Sequence, residues 1–397
     1  MNRFLLPALL LLSAPLAQAA SPVATVRVAF DREGITATAT DGLADRATGR
    51  EVTADDPVRI ASISKLVTAI GVMRLVEAGT LDLDADVSAA LGWTLRNPAY
   101  PDTPVTLRLL LSHRSSLTDE AGYWQTPLGG QLRGILDDPR AWDSGHPPGT
   151  YFRYTNLNFP LVAQIMERAT GERFDRLMDR LVLDPLGLDA CFTWTGCSDD
   201  AIARAVVLYD GDGDPANDRL GGKRPDCPVL AGDAGCELAA WRPGTNGGLF
   251  SPQGGLRISA NDLARIGRLL LGGGELDGVR LLMPASLRTL ATPLWTYNGD
   301  AGAPNGDTEG GFFCRYGLAV QTLATAVDGC RDAPFGDGVA RVGHSGSAYG
   351  LQSGLWLDYD AGTGVLWFAT GMPDERLGGH SAFSALEESL AQEATGR

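Results

Sequence analysis

Lysine is almost absent from this chain. Of its 33 basic residues only Lys65 and Lys223 are lysines, and the other 31 are arginines. Wherever a plain positive charge serves, arginine supplies it, so a lysine at one particular place calls for a chemical reason. Histidine is scarce too, with four residues. No C-x-x-C occurs, and no histidine lies near the first two couples of cysteines, which counts against a structural zinc site. Beyond the first twenty residues no run is apolar enough to span a bilayer. No repeat of solenoid or propeller period is visible. The 50 glycines show no fixed period of the kind a fibre would have.

The opening residues carry the one long apolar run. "MNRF" is basic, "LLPALLLLSAPLA" is apolar, and Ala17-Gln18-Ala19 is a small-residue cleavage site. Residues 1–19 are therefore expected to be a signal peptide, with the mature protein soluble, exported to a periplasm and without a membrane anchor. Their removal takes away Arg3 and no acid, leaving 32 basic against 48 acidic residues, a net charge of −16. That balance argues against nucleic acid and anionic membrane as partners. The oligomeric state is left open. An exported chain can keep disulfides. Six cysteines allow 15 connectivities, but they fall as three local couples, and 191–197, 227–236 and 314–330 are the expected bridges.

Strand-like alternation opens the mature chain in "ATVRVAF" and "GITATATDG", joined by the turn "DREG". From Ser62 to Ala78 the period becomes helical, with Leu66, Val67, Ile70, Met73 and Val76 on one side. Val72 and Leu75 widen that surface, so this helix is expected to be buried on most sides. Residues 80–240 are helical patches in Pro/Gly-rich loops, clearest in 107–113 and 160–171. A loop-like insertion covers 205–236. A helix follows in "SANDLARIGRLLL", capped by Ser259 or Asn261. Four strand-like segments come next, and a helix over 380–394 closes the chain. Strands at both ends with helices between predict an α/β chain of α+β type: a mainly antiparallel sheet flanked by helices, with an inserted helical domain. Residues 20–397 would form one hydrolase domain, with 20–79 and 241–397 building the sheet part and 80–240 the helical part.

Three short stretches could carry chemistry. In "SISK", Ser62 and Lys65 stand at i and i+3 and share a helix face. The positive end of the helix and burial both lower a lysine's pKa, and a neutral amine can take the serine's proton. Arginine cannot, because it stays protonated. In "YTN", Tyr154 can donate and accept protons and Asn156 can bond both an amine and a substrate amide. In "GHSGSAYG", a small-residue strand with His344, Ser345, Gly346 and Ser347 lets a substrate backbone lie close. The Ser347 and Ser62 N–H groups could then form an oxyanion hole. This is not a G-x-S-x-G nucleophile elbow, since 347 is serine.

"SISK", "YTN" and "HSG", in that order and at those spacings, resemble the three motifs of the serine β-lactamase and penicillin-binding-protein superfamily, in its class C β-lactamase, DD-peptidase and esterase branch. "TLRLLLSHRSSL" and "PQGGLRISANDLARIGRLLL" are similar to the same family. The resemblance implies that Ser62 is acylated, Lys65 is its proton partner, Tyr154 is a general acid or base, and Asn156 binds the substrate amide. It implies that His344, Ser345, Gly346 and Ser347 line the opposite wall. It implies no metal and no cofactor, with a peptide or small molecule as substrate.

One departure bears on substrate. Typical β-lactamases have lysine at the first position of the third motif, where this chain has His344. That favours D-amino-acid peptides or small esters over β-lactams. A class C-like β-lactamase and a non-catalytic, acyl-trapping protein stand as the alternatives. His113 is expected to serve as a helix C-terminal dipole partner. Asp210, Asp212 and Asp214 alternate as in a calcium loop, but the closing glutamate is missing, so a solvated acidic turn is expected.

Overall fold

The computed structural model describes residues 21–299, 301–373 and 378–394. The expected signal segment 1–19 lies outside the described residues. The opening hairpin consists of β1 (Ala24–Asp31) and β2 (Ile35–Asp45), with β3 (Arg50–Glu51) beyond it. Asp31 closes the turn by accepting the N–H groups of Glu33 and Gly34 at 2.7 and 2.9 Å.

The other strands of the same sheet come from the far end of the chain. They are β4 (Trp295–Thr296), β5 (Arg315–Tyr316), β6 (Gln321–Thr322), β7 (Val342–Ala348), β8 (Leu351–Asp358) and β9 (Thr363–Thr370). The order is β4-β5-β6-β7-β8-β9-β1-β2-β3, with antiparallel neighbours throughout. Both ends of the chain thus build one sheet. Strand β1 alternates buried and part-buried residues, as a strand covered on one face should, whereas β8 and β9 are buried along nearly their whole length.

Helix α1 (Ile63–Glu77) packs against β7 and β8. Most of its residues are buried, Lys65 among them, so it is a core helix rather than an amphipathic surface one. Helix α2 (Asn158–Thr170) ends at Gly171, whose φ of 72° gives the left-handed turn that stops it. Helix α3 (Ala260–Leu271) lies on β1 and β9, and Ser259 caps it by accepting the Asp262 N–H at 3.0 Å.

Three expectations are corrected here. The helix expected over 107–113 stops at Leu111, because His113 takes a left-handed φ of 56°. The closing helix starts later than expected, as α4 (Ala385–Ala394). The residues before it are tied into a loop by the Glu388 carboxylate, which accepts the N–H groups of Gly379, His380 and Ser381 at 2.8, 3.0 and 2.7 Å. The 205–236 insertion holds a small hairpin, Leu208–Tyr209 with Pro215–Asn217, within its loops. In that hairpin Asp210 spends a carboxylate oxygen on the Asp212 and Asp214 N–H groups.

The disulfides Cys191–Cys197, Cys227–Cys236 and Cys314–Cys330 are formed as the cysteine spacing predicts. Among the described residues no helix is long and apolar enough to cross a membrane, and no group of three or more His, Cys, Asp or Glu residues is arranged to hold a metal ion.

Candidate functional site

Ser62 occupies the N-cap of α1, yet its side chain caps nothing. A capping serine is worth about 1 kcal/mol to a helix, so that stabilisation is forgone. The hydroxyl instead meets the Lys65 Nζ at 2.9 Å and shares a hydrogen bond with the Tyr154 phenol. Ser64, two residues on, takes up local hydrogen bonding. Its Oγ donates to the Ala61 carbonyl at 2.6 Å and accepts the Leu256 N–H at 3.1 Å. Ala61 sits at φ 49°, a strained left-handed conformation directly before Ser62.

Lys65 is fully buried, with 0% of its surface exposed. Besides Ser62 it meets the Asn156 Oδ1 at 2.8 Å and the Gln253 carbonyl at 2.9 Å. Burial lowers its pKa to about 7, while Asp119 and Glu309 act in the opposite direction. A neutral amine has two N–H donors and one lone pair. The site offers two acceptors, Asn156 and Gln253, and one hydroxyl that can point its proton at the lone pair. The geometry therefore suits the neutral lysine as a proton acceptor.

Tyr154 is sandwiched between the rings of His113 (4.3 Å between centroids) and Phe313 (4.5 Å). Burial pushes its pKa above the usual phenol range, with the Ser62 hydrogen bond acting the other way. It is a neutral phenol beside a lysine that titrates near neutrality.

The "YTN" segment rests in a cradle formed by residues 113–119. The His113 carbonyl accepts the Arg153 N–H at 2.9 Å, and its Nδ1 accepts the Thr155 N–H at 3.0 Å. Asp119 accepts the Asn156 N–H, the Asn156 amide and the Leu157 N–H at 2.9, 3.1 and 2.8 Å. With its amide nitrogen held by Asp119, Asn156 must turn its carbonyl to Lys65. His113 is thus no charged helix-end partner as expected. Burial first, and then the Lys65 charge, drive its pKa well below normal, and it works as an uncharged acceptor behind Tyr154.

Strand β7 forms the opposite wall. It pairs with β6 only at Val342 and Gly343, so its Ser345–Ala348 stretch keeps one edge unpaired among the described residues. A cavity of about 790 Å³ opens there, lined among others by Ser62, Tyr154, Asn156, Ser345, Gly346 and Ser347. Gly346 presses against the start of α1. A Cβ there would lie 2.5 Å from the Ile60 carbonyl oxygen and 3.1 Å from the Ser62 nitrogen. Gly346→Ala is expected to push the strand off the helix and cut kcat/KM at least about tenfold, since catalysis falls steeply with misplacement on this scale. Wild-type rates with an unchanged melting temperature would show the contact to be slack.

His344 departs from expectation, for it does not line this cavity. Its ring turns inward and is fully buried. The Nδ1 lies 2.5 Å from the Ser345 carbonyl and must donate to it, so Nε2 accepts the Tyr316 hydroxyl at 2.8 Å. Burial, and then the Lys65 charge, lower its pKa to about 3. His344 is neutral and places no positive charge in the cleft.

Asp119, the Gln253 carbonyl and Tyr316 complete the site without any signal in the sequence. A lone aspartate and a backbone oxygen carry no spacing signature, and Tyr316 is visible only through its bond to His344.

A family model described as "Beta-lactamase" matches residues 11–387. The Esterase EstB of Burkholderia gladioli is 32% identical over 243 residues, covering 56% of this chain and 59% of that protein. The D-alanyl-D-alanine-carboxypeptidase/endopeptidase AmpH of Escherichia coli K12 is 31% identical over 176 residues, 42% of this chain and 43% of its own length. The matches thus span about half the length of these relatives. Among solved structures, an octameric penicillin-binding protein homologue from Pyrococcus abyssi superposes with a TM-score of 0.67 at 19% identity, covering 94% of this chain and 73% of that one. A class C beta lactamase from Rhodobacter sphaeroides gives 0.64 at 18% identity, with 94% and 93% covered. At those identities the likeness is one of fold.

Proposed function

The chain belongs to the beta-lactamase family, and from that premise we propose that it is an exported serine hydrolase working through an acyl-enzyme on D-amino-acid peptides or small esters. The observation that carries this reading is the buried Lys65 amine, held by two acceptors and facing the Ser62 hydroxyl.

In this mechanism Lys65 takes the Ser62 proton as Ser62 Oγ attacks the substrate carbonyl carbon. The oxyanion sits between the N–H groups of Ser62 and Ser347. Tyr154, hydrogen-bonded to Ser62, relays a proton to the leaving group as the bond to the carbonyl carbon breaks. Water enters on the same proton path, attacks the ester and frees Ser62. Asn156 binds the substrate amide, while Ser345 and Gly346 form the wall along which it lies. The cavity draws on both parts of the chain: Arg59, Ser62, Gln253, Phe313 and Ser345 are among its walls from the sheet part, and Tyr123, Tyr154 and Asn156 come from the helical part. We place the active site between those two subdomains. Export fits the three disulfides, which persist outside the reducing cytosol.

The relatives named for esterase and D-alanyl-D-alanine carboxypeptidase activity support the two substrate classes. The neutral, buried His344 disfavours the β-lactamase alternative, because it offers no charge to a β-lactam carboxylate.

The test is a panel at matched enzyme concentration: a p-nitrophenyl ester, a D-Ala-D-Ala peptide and nitrocefin. Multiple turnover of the ester or peptide, with nitrocefin slower, is expected. Fastest turnover of nitrocefin would favour the β-lactamase reading. A stable acyl adduct without turnover on any of the three would make the protein an acyl trap.

A further inference from the structure

A second cavity of about 690 Å³ adjoins the first and shares Arg59, Tyr123, Gln253 and Tyr349 with it. On the proposed mechanism, the leaving atom must lie beside Tyr154, which protonates it. Tyr154 stacks on Phe313, so the leaving group occupies the Phe313 side of the first cavity. The acyl portion then runs the other way, across the saddle of Arg59, Tyr123 and Tyr349, into the second cavity.

The chemistry of that saddle is specific. Arg59 donates from Nε to the Gly254 carbonyl at 2.9 Å and from Nη2 to Ser251 Oγ at 3.4 Å, and its guanidinium lies 4.7 Å from the Tyr349 ring centre. Among the described residues it forms no ion pair, and its Nη1 makes no hydrogen bond. Arg257, on the floor of the second cavity, differs. Its Nη2 meets Asp218 Oδ1 at 2.8 Å, and both side chains are buried, so that pair is neutral overall. Arg59 is therefore a fixed positive charge with no ion pair of its own at the passage between the two cavities, and the Asp218 carboxylate that acts on it electrostatically is already paired with Arg257. Burial, and then the Arg257 charge, lower its pKa to about 10, so it remains protonated at neutral pH. Beyond it, buried Trp194 and the exposed Trp124 give the second cavity aromatic walls.

We propose that the second cavity receives the acyl limb of the substrate, and that this limb carries an anionic group, a carboxylate on an apolar or aromatic arm, which pairs with Arg59. The preference opposes the field of the whole molecule, whose formal net charge is −15 and repels anions. It must therefore come from the saddle itself. The inference rests on the acyl-enzyme reading and adds the substrate class.

Two p-nitrophenyl esters of suberic acid test it, one with a free far-end carboxylate and one with a carboxamide there. The reacting ester is the same in both. The wild-type protein is expected to prefer the carboxylate by tenfold or more in kcat/KM, with the preference shrinking as salt is raised. Arg59→Gln should bring the ratio of the two esters close to one, and Arg59→Lys should keep part of it. A wild-type ratio at or below one overturns the proposal without any variant. So does a preference that survives in Arg59→Gln. If neither ester is turned over and no acyl adduct forms, the hydrolase reading itself fails, and that outcome is distinct from equal turnover of both.

Discussion

Lys65→Arg is expected to lose turnover almost as completely as Lys65→Ala, by about three orders of magnitude or more, although it keeps the charge. The wild-type amine fills a fully buried slot and contacts Ser62 Oγ, Asn156 Oδ1 and the Gln253 carbonyl within 2.9 Å. A guanidinium has no lone pair to receive the Ser62 proton, and its planar fork does not fit three partners arranged around one nitrogen. The pH dependence makes the same point in the wild-type protein. Burial holds the folded-state pKa of Lys65 near 7, below the ordinary 10.5. The neutral, proton-accepting form therefore grows as pH rises. kcat/KM should climb through about pH 7 and level off above it, with Tyr154 still a phenol over that range. The measurement is a pH–rate profile for the wild type beside single-pH rates for Lys65→Arg and Lys65→Ala. If Lys65→Arg retains most of the activity, Lys65 acts as a charge and not as a base.

Much of this site is legible in the sequence because it rests on local spacing. An i, i+3 pair on a helix start must share a face, so "SISK" already brings Ser62 to Lys65. The choice of lysine in an arginine chain shows that a titratable amine is wanted there. Alternation in "ATVRVAF" and "GITATATDG" likewise foretells two strands that prove to be hydrogen-bonded neighbours. What stays hidden is set by tertiary contact. Lys65 meets Gln253 through a backbone oxygen 188 positions away, and no residue type announces a carbonyl. Asp119 orients Asn156 from a loop with no motif of its own. The direction of His344 could not be read either. Alternation along β7 tells which residues share a face, but only the Tyr316 hydroxyl and the local carbonyl decide that this ring turns inward and stays neutral. The amphipathic period of the closing segment runs on from His380, five residues ahead of the point where its helix begins. Glu388 binding three successive N–H groups ahead of it outweighs that preference.

Ser62→Ala should abolish covalent labelling by a fluorophosphonate and reduce ester turnover by about three orders of magnitude or more, the scale on which losing a nucleophile acts. The prediction is specific because several serines surround the same cavity. Ser345, Ser347 and Ser381 line it, and Ser64 lies in the first turn of α1. None of those four meets the Lys65 amine, whose hydrogen bonds run to Ser62, Asn156 and the Gln253 carbonyl. Ser64 is committed to the Ala61 carbonyl and the Leu256 N–H, and Ser381 donates its hydroxyl to Glu388 at 2.7 Å. Ser62 alone among them meets Lys65 and shares a hydrogen bond with Tyr154, so it alone has both a proton acceptor and a relay. The fold should tolerate the change, because Ser62 does not cap α1 in the first place and its loss removes no cap. Intact-mass spectrometry after probe treatment, beside a melting curve, separates the outcomes. An unmodified, wild-type-stable Ser62→Ala protein supports the assignment. A labelled one moves the nucleophile to another serine of the cavity and leaves Lys65 without its proposed partner.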